Sequence, residues 1–299
     1  HNTVMRIETE KKLAAGLSIT SNAVIIILKL IAGAISGSIS IISEAVHSLS
    51  DFLASVLTFF AVMRSSEPAD KTHPFGHGRY EDMSGFIEGG LVVFAACYII
   101  YEAAKKLIFG YTMETESFLG IGVMAFAVAA NFIVSSYLFF VAKKTGSVSL
   151  YADGEHLRTD IWSSLGVLAG LVLIKVTGII LLDPLIALIV ALFILKTGVK
   201  ISKTTLNNLL DGSLPVEDLT VIENIIKSFE HKGVQGFKDL KARRVGPSKD
   251  IEFTLLFPED MKISTCHDFC DDIEDRITEK LGSCSISIHA EPDCPKCRM

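Results

Sequence analysis

Six stretches of this chain are apolar for long enough to cross a lipid bilayer: residues 12–36, 39–63, 82–108, 118–142, 149–176 and 178–200. A helix needs roughly 20 mostly apolar residues to span the hydrocarbon layer. Inside that layer every backbone N–H and C=O must be paired within the segment, so each stretch is expected to be helical. The competing arrangement, a large soluble protein with buried helices, does not call for six apolar runs of membrane length. Mean hydropathy is +0.45, with 49% hydrophobic and 21% charged residues, which excludes a disordered chain.

Charge is unevenly placed. Residues 1–210 carry 16 acidic and 16 basic side chains, whereas residues 211–299 carry 18 and 12. The whole net charge of −6 therefore sits in the tail. An acidic balance leaves no basic face for phosphate, so no nucleic acid is expected as a partner. Two domains are expected: a six-span membrane domain over 1–210 and a smaller domain over 211–299. Basic residues sort to alternate connections: Arg6, Lys11 and Lys12 before the first span, Arg64, Lys71 and Arg79 after the second, Lys143 and Lys144 after the fourth, and Lys196, Lys200 and Lys203 at the sixth. That bias places both termini in the cytoplasm.

Past Asp211 the pattern becomes that of a small soluble fold. Pro215–Glu230 spaces Val216, Leu219, Ile222, Ile225 and Ile226 for one helix face. Asp239–Val245 and Asp250–Phe257 alternate around a Gly-Pro turn and read as a hairpin. Ser264–Leu281 reads as a second amphipathic helix started by a Ser or Thr cap, and Cys284–His289 as a last strand. The order αββαβ predicts a two-layer, ferredoxin-like α+β domain.

The chemistry concentrates in two spans. His47 and Asp51 stand at i and i+4 in the second, and His156 and Asp160 repeat that spacing in the fifth. Four residues apart on a helix puts both side chains on one face, one turn apart. Two such helices facing each other would gather two imidazoles and two carboxylates, a tetrahedral set that suits zinc. The same groups take up protons when metal is absent. A structural hydrogen bond within each pair is the alternative, but ionisable residues at membrane depth are functional by default. Glu44, Asp153 and Glu155 share these helix ends as vestibule residues. Asp70, His73 and His77 form a further candidate ligand set in a Gly- and Pro-punctuated loop, against which stands a solvated loop touching lipid headgroups.

These motifs, read in SGSISIISEAVHSLSDFLAS, PADKTHPFGHGRYE, YADGEHLRTDIWSSLGVL and NNLLDGSLP, resemble the cation diffusion facilitator family along nearly the whole chain. Members are homodimeric membrane proteins that exchange cytoplasmic Zn²⁺ or related ions for protons. The resemblance implies a transport site at His47, Asp51, His156 and Asp160, with zinc first and Cd²⁺, Co²⁺ or Fe²⁺ as further substrates. It implies an accessory metal site at Asp70, His73 and His77, and a charge interlock between Arg79 and Asp211 joining the membrane and cytoplasmic parts. In the tail His267, His289 and Glu291 match metal-ligand positions, whereas Lys238 and Thr254 stand where a His is expected. Cys294 and Cys297, a C-x-x-C pair, add a thiolate candidate, as do Cys266 and Cys270 beside His267. The short connection AKKTGSVS agrees, by resemblance, with a bacterial inner-membrane setting. The expected function is proton-coupled export of divalent metal. The alternatives are a metal-sensing membrane protein and a membrane-embedded zinc enzyme; the latter lacks an HExxH base, and four protein ligands leave zinc no position for water.

Overall fold

A computed structural model of the chain describes residues 2–36, 39–109, 118–177, 182–230 and 233–293. The chain folds as two compact units, His1–Leu206 and Asn207–Met299. The first holds six helices: α1 (Asn2–Ser36), α2 (Ile39–Ser65), α3 (Arg79–Phe109), α4 (Phe118–Thr145), α5 (Val148–Thr177) and α6 (Leu182–Leu209), the last running on into the second unit. Among the described residues, Ile7–Ala32, Arg79–Lys105 and Ala125–Thr145 are long and apolar enough to cross a membrane, and Phe52–Ser65 is a shorter apolar helix. The helices extend past the apolar runs, because their polar ends continue to make i to i−4 backbone bonds where hydropathy has already fallen.

Inside this unit α1, α2, α4 and α5 share a core of Ala14, Ala15, Val62, Leu138, Leu150 and Leu157. A second cluster, Val92, Ala96 and Ile194, joins α3 to α6. Glycines set that approach. A Cβ on Gly89 would lie 2.6 Å from Ser202 Oγ and 2.9 Å from Ser202 N, and one on Gly198 would lie 2.9 Å from Val93 N. With no hydrophobic force between helices in lipid, such backbone-to-backbone packing is what holds them together. Large apolar side chains face outward, among them Phe94 (72% exposed), Ile133 (67%) and Phe193 (69%). An apolar exterior of that extent is what a lipid-facing surface requires.

Between α4 and α5 the chain turns in two residues. Gly146 takes φ +70°, the left-handed conformation that ends helices, and Ser147 Oγ accepts the Leu150 N–H at 3.4 Å, capping α5. At the far end of α6, Asp211 also adopts φ +59°, with its N–H bonded to the Asn208 carbonyl at 3.2 Å. Asp tolerates that conformation better than most residues.

The second unit contains α7 (Val216–Lys227), β1 (Gly236–Val245), β2 (Ser248–Phe257), α8 (Ile263–Leu281) and β3 (Cys284–Pro292). This is the αββαβ order expected from the sequence. The sheet runs β1-β2-β3, with β1 antiparallel and β3 parallel to β2. Ile251, Phe253, Leu255 and Phe257, on one face of β2, pack with Ile222 and Ile226 of α7 and Ile273 and Ile277 of α8. The start of α8 departs from the expected Ser or Thr cap. Lys262 is the N-cap residue and makes no side-chain capping bond, so Ile263 and Ser264 already lie inside the helix.

Candidate metal centres

His156 and Asp160 sit one turn apart on α5, as their spacing requires. His156 is 4% exposed. On α2, His47 and Asp51 occupy helical positions with the same spacing, and their side chains lie outside the described residues. Helices α2 and α5 pack against each other.

A polar network continues from this region toward the end of the unit that bears the α2–α3 loop and the α4–α5 turn. Asn22 Nδ2 donates to Ser55 Oγ at 2.7 Å, and Ser55 Oγ donates to Asp153 Oδ1 at 3.2 Å. Ser84 Oγ donates to Glu88 Oε1 at 2.7 Å, and Thr58 Oγ1 donates to the same oxygen. Nearer that end, the Glu81 carboxylate is paired with Lys11 Nζ and accepts hydrogen bonds from Ser147 and, at 2.8 Å, from Ser65. On the other side Lys29 Nζ donates to Ser48 Oγ at 2.7 Å. The sequence reading missed Lys11, Lys29, Glu81 and Glu88. Of the four, Glu88 alone had a local signal, with Ser84 four residues before it on the same apolar helix.

The α2–α3 loop assembles the second candidate set. Among the described residues, Asp70, His73 and His77 are the one group of three His, Cys, Asp or Glu whose ligand atoms all lie within 4.8 Å of one another. Asp70 Oδ1 accepts from the N–H groups of Thr72 and His73, at 2.7 and 2.6 Å, and from Thr72 Oγ1 at 2.7 Å. These donors, the Thr72 hydroxyl foremost, hold the carboxyl well below the usual carboxylate range. Asp70 Oδ2 remains 3.6 Å from His77 Nε2, and the His73 and His77 rings stand 4.5 Å apart. Both His77 ring nitrogens are buried and make no hydrogen bond among the described residues, while His73 keeps 44% of its side chain exposed. Gly76, at φ +83°, lets the chain turn back between the two histidines. A charged carboxylate oxygen and two imidazoles around one point are a cation-binding set with an open side.

The tail residues are not gathered in the same way. His267 Nδ1 lies 3.4 Å from Asp271, and His289 Nε2 lies 3.3 Å from Glu291, whose other oxygen is 2.7 Å from Lys238 Nζ. That ammonium is the first cause holding the Glu291 carboxyl below its usual value. Strand alternation explains the separation: Ile286 and Ile288 pack against the core that holds α8, so His289 and Glu291 point from the other face of β3. Cys270 is buried in α8, and burial pushes its thiol up to about 11, which disfavours the thiolate a metal needs. Cys294 and Cys297 lie outside the described residues. Asp211 pairs with Arg243 at 3.2 Å within its own unit; Arg79 is the first residue of α3.

The cation efflux transmembrane domain model matches residues 16–210, and the cation efflux protein cytoplasmic domain model matches residues 214–293. The chain belongs to the cation efflux family. It is a membrane transporter and not an enzyme. Similar proteins include an uncharacterised transporter of Synechocystis, 37% identical over 89% of this chain and 85% of that protein. Another uncharacterised transporter, of Methanocaldococcus jannaschii, is 34% identical over 92% of this chain and 94% of its own length. The cation-efflux pump FieF of Pectobacterium atrosepticum is 28% identical over 93% of this chain and 92% of its own. The cation diffusion facilitator resemblance drawn from the HxxxD pairs and the αββαβ tail is therefore correct at the level of the family.

Proposed function

We propose that this cation efflux protein is a proton-coupled exporter of divalent metal cations, with zinc as the first substrate and Cd²⁺, Co²⁺ or Fe²⁺ as further ones. It works as a homodimer in the inner membrane, with both termini and the 211–299 domain in the cytoplasm. The observation that carries the reading is a titratable imidazole, His156, buried at membrane depth one turn from a carboxylate, on a helix packed against a second with the same spacing. Burying such groups in a low-dielectric bundle is costly unless a cation balances them.

His47, Asp51, His156 and Asp160 form the transport site. A dication is neutralised by the two carboxylates and ligated by the two imidazoles. A proton and a metal ion cannot occupy the same nitrogen or oxygen, so loading metal expels protons and protonation releases metal. Rocking of the helices about this site exposes it alternately to the two sides. Asp70, His73 and His77 act as an accessory site that captures metal beside the entrance.

The test is zinc flux in proteoliposomes under a pH gradient. Flux that is abolished by Asp51→Ala and by Asp160→Ala supports the exporter. Tight zinc binding with no flux in the wild type would instead make the chain a sensor.

A further inference from the structure

Glu88 is a buried carboxyl whose second oxygen the described residues leave unengaged. It is fully buried, two hydroxyls donate to its Oε1, and its Oε2 makes no hydrogen bond among the described residues. Protonated, Oε2 is a donor without an acceptor among the described residues; ionised, it is a buried charge with no ion-pair partner among them. Either state is costly in a low-dielectric interior.

What surrounds it is a second acidic group and a set of oxygens. Glu88 is within electrostatic reach of Asp153 and His156. Asp153 is itself fully buried and accepts from Ser55, while Thr58, three residues beyond Ser55 on α2, holds Glu88. One face of α2 thus ties together a carboxylate from α5 and a carboxylate from α3. Ser55 and Thr58 continue the stripe that starts at His47 and Asp51, at spacings of four and seven residues from Asp51. Asp153 likewise stands three residues from His156 and seven from Asp160. At 1.5 Å per residue these positions lie roughly 6–10 Å along the helix axes from the quartet's aspartates. On both helices the displacement is toward the end bearing the α2–α3 loop.

We infer that Glu88 and Asp153 form a cation station of their own, which the transported dication occupies on its way between that end of the bundle and the quartet. The inference rests on the quartet being the transport site. Two carboxylates match the charge of a dication, and Glu88 Oε2 supplies the ligand atom that no protein group engages. The hydroxyls of Ser55 and Thr58, which already bond these two carboxylates, give the station a mainly oxygen donor set. Such a set holds zinc more weakly than one containing imidazoles. A weaker stop before a tighter one is what conduction through successive sites needs, since an ion must leave as well as enter.

The experiment uses the full-length chain in proteoliposomes, with Zn²⁺ supplied to the face bearing the α2–α3 loop. Initial rates give KM and kcat, and titration of the same preparations gives the equilibrium zinc affinity. Glu88→Gln is expected to raise the KM about tenfold while the quartet's affinity stays within about threefold. Asp153→Asn is expected to act in the same direction, and Glu88→Asp, which keeps the charge, to fall between. Should Glu88→Gln fail to fold, the other two variants carry the same expectation. A wild-type KM in Glu88→Gln or Asp153→Asn would overturn the station and leave a structural water as the partner of Oε2. A fall in quartet affinity that tracks the KM would overturn it too, because Glu88 would then only shape the bundle. Wild-type and Asp160→Ala vesicles in the same assay report separately on the transport reading: equal flux in those two sinks that reading, whatever Glu88 does.

Discussion

His156, in the helical unit, is 4% exposed with Asp160 one turn away on the same helix. His267 and His289, in the tail, expose 75% and 71% of their side chains beside Asp271 and Glu291. The residue types are the same and the physics is opposite. An exposed imidazole–carboxylate pair is solvated with or without its partner and contributes little. A buried imidazole such as His156 carries a desolvation cost that an exposed one does not, and in the proposed mechanism a bound cation helps to offset it. The α2–α3 loop lies between these extremes, with His77 buried and His73 and Asp70 half-exposed.

The contrast is best broken at the buried end. His156→Ala is expected to take zinc flux down to the protein-free background, measured in proteoliposomes. Lys11→Met is the next largest. It leaves Glu81 charged and buried, and should cost about 3–5 kcal/mol in thermal or denaturant unfolding. Gly89→Ala drives a methyl against Ser202 and should cost about 1–3 kcal/mol, read in the same way. In the loop, His77→Ala is expected to weaken that site's metal affinity at least about tenfold, or 1.4 kcal/mol, while flux falls by less.

Acidity sharpens the loop's place in the comparison. The Asp70 carboxyl titrates below its unfolded value, so its contribution is fully present above that value and is lost only as pH falls through the lower, folded one. Through the neutral range it stays charged. Thr72→Val removes the main donor and should move the Asp70 titration upward, visible by NMR, with little change in metal affinity at neutral pH. Smallest of all, His289→Ala in the tail should change stability and zinc binding within about 0.5 kcal/mol.

The sequence was most readable where one property repeats. Span length revealed the six helices, and period-two alternation revealed β2, whose Ile251, Phe253, Leu255 and Phe257 face the core. Helix ends were less visible. Residues 79–81 of α3 and 201–209 of α6 are polar enough to end a hydropathy window without ending the helix. The HxxxD pairs stood out because two copies of one spacing are hard to overlook. Glu81 and Glu88 did not, since each reads as a single charge until its partners arrive from other helices: Lys11, Ser65 and Ser147 for one, Thr58 for the other. The tail shows the converse: His267, His289 and Glu291 look like one set in sequence, and strand alternation puts the last two on the sheet face away from α8.

In the proposed mechanism the His and Asp side chains of the transport site exchange metal for protons. The most direct measurement records zinc entry and proton exit together in vesicles holding the wild type or Asp160→Asn. The account predicts that zinc uptake in the wild type is matched by proton release at a fixed ratio, and that both vanish in Asp160→Asn. Zinc movement that persists in Asp160→Asn, or that proceeds in the wild type with no proton movement, would contradict it.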